Sequence, residues 1–116
     1  MRIGRVYDDH GADRQPVLVD RLWPRGLRQD DPRIGTWCRD VAPSTELRHW
    51  YGHRPERYEE FTQRYRAELA SDAGRAALQG LVAATQQPSI LVTATKDVEL
   101  SHLPVLAEVL AEQDAA

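Results

Sequence analysis

Residues 17–26, with the sequence VLVDRLWPRG, constrain the fold of this chain more than any other segment. They begin with consecutive β-prone residues, and an apolar run without alternation is typical of a strand buried on both faces of a parallel sheet. The strand then runs directly into charged residues and a turn that contains proline and glycine. Open α/β sheets bind their ligands beyond the carboxyl ends of their strands, so Arg21 and Arg25 mark a candidate site.

The remaining segments complete an α/β pattern. Strands are predicted at residues 3–7, 17–20 and 90–95, and helices at residues 34–40, 45–51, 55–69, 75–85 and 101–112. We therefore predict an α/β fold: a small layered single domain, residues 1–116, with a short, mainly parallel central sheet of about three strands flanked by helices. The first connection is near the lower length limit for a parallel crossover, so the direction of the first strand stays open.

Composition indicates an ordinary globular chain of 116 residues, with 41% hydrophobic and 28% charged residues. The single cysteine, Cys38, cannot form an internal disulfide and suits a reducing compartment. The N-terminal residues lack the apolar core of a signal peptide, and no run approaches the length of a membrane span. We expect a cytoplasmic protein that does not contact a membrane.

Charge is distributed unevenly within a formal net charge of −3. Residues 1–66 contain 13 arginines against 11 acidic residues, a net of +2, whereas residues 67–116 contain 2 basic and 7 acidic residues, a net of −5. Neither part has the strong basic excess that is typical of a general nucleic-acid-binding protein.

A cluster of polar side chains is predicted where the second and third strands end. If these strands are parallel neighbours, residues that follow the second strand meet residues that follow the third: Asp20, Arg21 and Arg25 on one side, and Lys96, Asp97, Ser101 and His102 on the other. The last helix begins at the same place, and its unpaired N–H groups favour an anion. The pattern predicts a site for phosphate, sulfate or carboxylate, in which Arg21, Arg25 and Lys96 hold the anion and Asp20 and Asp97 orient them.

A structural interpretation of the same residues is equally open: Arg21 pairs with Asp97, and Arg25 with Asp20 or a helix C-terminus. His102 lies near a helix N-terminus, where the helix dipole lowers the pKa of an imidazole and keeps it neutral. It is therefore the candidate general acid or base, with a capping or solvent-facing role as the alternative. Whether the chain is an enzyme stays open.

Other candidate residues favour structural roles. Cys38 lies in an apolar context typical of a small buried side chain. His49 and His53 lack a third ligand, so no metal site is predicted, and no motif for an organic cofactor is recognised. Ser44 is predicted to cap a helix that ends at Gly52.

A different class of function is suggested by residues 21–50, which contain all three tryptophans interleaved with arginines. Such a segment can stack on and neutralise single-stranded nucleic acid, or bind a protein partner. Packing of the tryptophans onto the sheet is the more common arrangement, and the acidic C-terminal part repels phosphate. Nucleic acid is thus disfavoured, a small anionic ligand is preferred, and the oligomeric state is not predicted.

Three segments together resemble a known family: VLVDRLWPRG, DVAPSTELRHWYGHRPERYEEFTQRYRAEL and ATKDVELSHLPVL. They are similar to the short, YeaO-like members of the bacterial domain-of-unknown-function family four-eight-eight, over nearly the whole chain. The resemblance implies a small cytoplasmic α/β protein and no established activity. Matching motif positions are Asp20, Arg21, Pro24, Arg25, Gly26, Ser44, Thr45, Glu46, Arg48, Lys96, Asp97 and His102.

The chain also departs from this family. Short members tend to have a His-Asn-His-Ala run where this chain has Leu100-Ser101-His102-Leu103, so only His102 is retained. Longer relatives place a Cys-His pair near this helix start, and the cysteine is absent here. Thiol chemistry is therefore not carried over, and Ser101 is the polar neighbour that could replace the missing pair.

Overall fold

The computed structural model describes residues 1–115, and side chains up to residue 113. The strands are β1 (Arg2–Arg5), β2 (Gln15–Leu18), β3 (Thr36–Trp37) and β4 (Ser89–Thr93). The helices are α1 (Thr45–Tyr51), α2 (Tyr58–Ala70), α3 (Asp72–Ala84) and α4 (Leu103–Ala115). Short 3₁₀ turns lie at Arg39–Val41, Pro55–Arg57 and Val98–Leu100. None of the helices in the described residues is long and apolar enough to cross a membrane.

The strands form a single sheet with the order β1-β4-β2-β3, in which all neighbours are parallel. β4 lies between β1 and β2, and Val17 of β2 is opposite Leu91 of β4. The predicted α/β fold with a mainly parallel central sheet is confirmed, and β1, whose direction the sequence left open, is parallel as well. Because every strand points the same way, all of them end at one side, the carboxyl end of the sheet.

The strand β3 lies in a segment for which the sequence predicted a short helix, residues 34–40, and that prediction is wrong. The Gly35 N–H donates to the Pro16 carbonyl over 2.9 Å, and the Cys38 N–H donates to the Leu18 carbonyl over 2.8 Å. The backbone is thus paired with β2 rather than with itself. A very short helix without a cap is marginal, whereas threonine and tryptophan suit a strand. Helical geometry is confined to the 3₁₀ turn Arg39–Val41.

The helices cover one face of the sheet. Their apolar residues form the larger core cluster together with Val17, Val19 and Leu91. The heart of this cluster is a run of aromatic rings on α1 and α2, in which Tyr51 stacks on Phe61 with ring centroids 4.5 Å apart. Burial of such large side chains is the main source of stability for a domain of this size.

The opposite face is covered by the irregular chain between β2 and β3 instead of by helices. Leu27 closes over Leu18 and Val92, and Trp23 and Trp37 pack beside them edge to face, with centroids 5.2 Å apart. The Trp23 indole N–H donates to the Leu27 carbonyl over 2.9 Å. The two rings therefore take the place that helices occupy in a doubly covered α/β sheet.

Local capping signals were predicted correctly for α1. The Ser44 hydroxyl accepts from the Leu47 N–H over 3.1 Å, and Gly52 ends the helix with a φ of 54°. α3 begins at Asp72, earlier than predicted, because the Ser71 hydroxyl caps it by accepting from the Gly74 N–H.

Candidate functional site

The residues predicted for the site separate into a buried group and an exposed group at the carboxyl end of the sheet. Asp20, Arg21, Ser101 and His102 are partly or fully buried and take part in contacts within the fold. Arg25, Lys96 and Asp97 are exposed. Parallel pairing of β2 with β4 does bring their two carboxyl ends together, as the sequence analysis assumed.

His102 lies at the centre of the buried group. Its Nε2 is 2.9 Å from the carbonyl oxygen of Val19, and since a carbonyl only accepts, this nitrogen carries the proton. The ring packs edge-on against Tyr65, with centroids 5.9 Å apart. The backbone carbonyl of His102 accepts from the Leu106 N–H over 2.9 Å, so the same residue starts α4. Only Nδ1 is left for acid or base chemistry.

Burial lowers the pKa of His102, and the guanidinium of Arg48 lowers it further. The carboxylate of Asp20 and the hydrogen bond to the Val19 carbonyl act in the opposite direction. Burial is the largest of these causes, so the environment of His102 favours the neutral imidazole.

Asp20 joins the ends of the two central strands. Its Oδ2 accepts from the backbone N–H of Ala94 over 2.8 Å. Its Oδ1 lies 3.6 Å from His102 Nε2 and is buried without a hydrogen-bond partner among the described residues. The carboxylate thus links β2 to β4 and faces the imidazole, rather than orienting an arginine as predicted.

Arg21 is held by backbone carbonyls. Its Nε donates to the Pro43 carbonyl over 3.2 Å, and its Nη2 donates to the Ala42 carbonyl over 2.9 Å. The structural alternative, an ion pair with Asp97, is not formed among the described contacts. Arg21 instead fixes the segment that leads into α1, and this also fixes its own guanidinium.

Ser101 caps the entrance to α4. Its hydroxyl donates to the Val98 carbonyl over 2.6 Å and accepts from the Leu103 N–H over 3.1 Å. Pro104, which follows Leu103, has no backbone N–H to donate. The N-terminus of α4 therefore presents few donors to an anion, and Pro104 was the signal in the sequence that could have shown it.

The exposed group has few contacts. The Arg25 carbonyl accepts from the Tyr7 hydroxyl over 2.9 Å, which anchors its backbone. Within the described part of the chain, the side chains of Arg25, Lys96 and Asp97 form no hydrogen bond or ion pair. These residues can bind a ligand only from the open surface.

A cavity of about 880 Å³ opens beside Arg21, between the chain that follows β3 and the helices α2 and α3. Its lining includes Arg21, Trp37, Cys38, Arg39, Asp40, Val41, Ser44, Tyr65, Glu68, Ala73, Ala76, Ala77 and Gly80. Arg21 is the predicted ligand-binding residue among them. The cavity is not predictable from the sequence because it depends on β3, a segment for which the sequence predicts a helix.

Several polar groups of the cavity wall are already engaged. The Tyr65 hydroxyl donates to the Val41 carbonyl over 2.5 Å, and burial raises the pKa of this phenol well above 10. The carboxylate of Glu68 accepts from the Ser44 N–H over 2.8 Å and from the Ser44 hydroxyl over 2.6 Å. Burial raises the pKa of Cys38, so its thiol stays protonated.

The tryptophans of residues 21–50 are used for packing. Trp23 and Trp37 pack against the second core cluster, and two guanidiniums lie over the ring of Trp50, that of Arg57 at 5.0 Å and that of Arg64 at 4.3 Å. This placement favours packing, which is also the more common role, and binding of nucleic acid or a protein partner stays the untested alternative. No group of three or more His, Cys, Asp or Glu side chains is placed to hold a metal in the described residues.

The fold and the cavity define a small α/β protein with a four-stranded parallel sheet and a candidate ligand site at its carboxyl end. The chain belongs to the DUF488 family: the model DUF488-N3i, described as the inactive DUF488-N3 subclade, matches residues 1–116. The resemblance inferred from the three sequence segments is thereby confirmed.

Two relatives illustrate the range of similarity. The uncharacterized protein Rv3073c of Mycobacterium tuberculosis (strain ATCC 25618 / H37Rv) is 51% identical over 111 residues, which cover 95% of this chain and 92% of the relative. The uncharacterized protein YeaO of Escherichia coli (strain K12) is 36% identical over 105 residues, which cover 90% of each chain. No solved structure matches the chain significantly.

Proposed function

We propose that this protein is a non-catalytic binding domain whose ligand is a small molecule with an anionic group, held in the cavity beside Arg21. The observation that carries the proposal is the fixed position of the Arg21 guanidinium at the cavity wall. The carbonyls of Ala42 and Pro43 use only some of its N–H donors, and the others are available to a carboxylate or phosphate. A guanidinium that is already immobilised loses little conformational entropy when an anion binds.

The proposal is of a non-catalytic protein because the side chains that could react are already engaged in contacts within the fold or are held protonated. The Nε2–H of His102 and the hydroxyls of Tyr65 and Ser101 all donate to backbone carbonyls. The raised pKa of Cys38 disfavours a thiolate nucleophile. The description of the matching subclade as inactive supports the same conclusion.

Arg25 and Lys96, the other predicted anion-binding residues, are not required by the proposal. Both are exposed and do not line the cavity beside Arg21. Exposed cations in water bind a single anion weakly because the solvent screens their charge. Arg25 is therefore a suitable control for Arg21.

The proposal is tested by thermal shift in low salt with phosphate, sulfate and acetate, on the wild type, Arg21→Gln and Arg25→Ala. A ligand at a hundred times its Kd adds about 2.7 kcal/mol of stability. This corresponds to a rise in Tm of about ten degrees for a domain of this size. We expect at least one anion to raise the Tm of the wild type and of Arg25→Ala, but not that of Arg21→Gln, each measured against its own ligand-free Tm.

Two results would overturn the proposal. A shift that disappears in Arg25→Ala and persists in Arg21→Gln would place the anion on the exposed surface. The absence of any shift, with 2-naphthoate included among the anions, would leave Arg21 as a structural residue that ties the Ala42-Pro43 segment to β2.

A further inference from the structure

The size and lining of the cavity beside Arg21 indicate more than a bare anion site. Its volume of about 880 Å³ lies in the range of pockets that hold organic ligands, and an inorganic ion would leave most of it to water. We propose that its ligand is an amphipathic monocarboxylate, with an apolar body and a single carboxylate. This inference rests on the proposed function and specifies the ligand class.

The walls suit an apolar body. Val41 and Leu69 contribute aliphatic surfaces. Trp37 also lines the cavity, although its ring packs against the second core cluster and lies 5.0 Å from the guanidinium of Arg39. The side of the cavity formed by α3 is mostly alanine and glycine, with Leu81 as the one large side chain among its described lining residues. Ligand pockets generally combine such an apolar lining with a few fixed polar groups, and here Arg21 is the fixed cation.

Gly80 in the middle of α3 supports this interpretation. Glycine in a helix interior is less favourable than alanine by about 1 kcal/mol. A Cβ atom at Gly80 would have no neighbouring atom within 4 Å, so packing within the chain does not require a glycine there. Gly74 on the same helix differs, since its Cβ would overlap the carbonyl oxygen of Glu68. Gly80 leaves this wall of the cavity open. Space for a ligand would explain why position 80 has glycine rather than the more stable alanine.

The charges of the lining favour one negative charge over two. The lining contains two guanidiniums, Arg21 and Arg39, and two carboxylates, Asp40 and Glu68, so its charges balance and the carboxylates repel a phosphate dianion more strongly than a monoanion. Both carboxylate oxygens of Glu68 accept hydrogen bonds from Ser44, so this negative charge is held in place. A single carboxylate matches the two-pronged geometry of a guanidinium and limits this repulsion.

The test compares 2-naphthoate with three probes that differ from it in charge, in apolar body or in both. 2-Naphthamide has the same body without the charge, acetate has the charge without the body, and inorganic phosphate has more charge and no body. Titration calorimetry and thermal shift are performed on the wild type, Arg21→Gln, Gly80→Leu and the milder Gly80→Ala. Ala76→Leu fills the same wall from an exposed position and serves if Gly80→Leu fails to fold.

We expect 2-naphthoate to bind at least about tenfold more tightly than acetate or 2-naphthamide, a difference of about 1.4 kcal/mol. Its affinity should fall at least about tenfold in Gly80→Leu or Ala76→Leu, and much less in Gly80→Ala. Binding of phosphate or acetate that depends on Arg21 and equals that of 2-naphthoate would retain the anion site and overturn the amphipathic ligand. Undiminished naphthoate binding in both leucine variants would overturn it too, and no binding of any anion would overturn both proposals.

Discussion

The Nε2–H group of His102 donates a hydrogen bond to the carbonyl oxygen of Val19 over 2.9 Å. Val19 directly follows β2, and His102, 83 positions later in the chain, directly precedes α4. The bond satisfies a carbonyl at the end of a central strand and attaches the last helix to the sheet. A histidine that a sequence pattern marks as an acid-base candidate is thus part of the framework of the fold.

Removing this histidine should therefore destabilise the protein. In His102→Ala the buried Val19 carbonyl loses its donor and a cavity forms beside Tyr65, so we expect the free energy of unfolding to fall by about 2–4 kcal/mol. Urea denaturation measures the change. His49→Ala, at an exposed position of α1, is the control and should change stability by less than about 0.5 kcal/mol. Equal effects of the two substitutions would contradict the structural role of His102.

Stability should also depend on pH through His102. Its pKa in the folded protein is lowered by burial, whereas the unfolded chain has a value of about 6.5. Below that pH the unfolded chain binds a proton that the folded protein does not, so the free energy of unfolding falls as the pH decreases through about 6.5 toward the folded pKa. The contribution of the neutral His102 imidazole to the free energy of unfolding is fully present above about pH 6.5.

This pH dependence is measured by urea unfolding between about pH 7.5 and 5.5 on the wild type and His102→Gln. Glutamine can still donate to the Val19 carbonyl but does not titrate, so the difference in slope isolates the imidazole. The wild type should lose more stability toward low pH than the variant. A steeper loss of stability in His102→Gln would mean that folding raises the pKa of His102 instead of lowering it.

The two glycines of α3 should respond oppositely to alanine. At Gly74 a Cβ would overlap the carbonyl oxygen of Glu68 and lie 2.6 Å from the Cα of Leu69, so Gly74→Ala should destabilise by about 1–3 kcal/mol. At Gly80 the added methyl group meets open space, so Gly80→Ala should stabilise by about 0.5–1 kcal/mol. Thermal and urea unfolding of the pair test this, and changes of the same sign would refute the close approach of α2 to α3 at Gly74.

Ser44 and Glu68 should be strongly coupled. The Ser44 hydroxyl caps α1 and donates to the Glu68 carboxylate on α2, so a double-mutant cycle of Ser44→Ala and Glu68→Ala should give an interaction energy of about 1 kcal/mol or more. The exposed pair Glu60 and Arg64 of α2 is the matched control, with about 0.3–0.5 kcal/mol expected. Coupling no larger than that of the control would show that the carboxylate does not support the cap.

Much of the fold could be predicted because it depends on local features. The Ser44 cap and the Gly52 terminator act over a few residues, and both are predicted where the structure has them. The apolar run at residues 17–19 predicts a strand at 17–20, and the structure has this strand two residues earlier, at Gln15–Leu18. The segment at residues 34–40 was assigned wrongly because Thr36 and Trp37 become a strand only when β2 supplies a partner. A strand this short has no periodicity of its own.

The candidate site was predictable in place but not in geometry. The sequence by itself determined that charged residues follow the ends of two buried strands, since order along the chain and the parallel rule require it. Only the tertiary structure decided that His102 and Ser101 turn inward to backbone carbonyls, that Arg21 is held by Ala42 and Pro43, and that a cavity opens between β3 and α3. These contacts join residues far apart in sequence, and the competition among alternative hydrogen-bond partners is settled only when the core has packed.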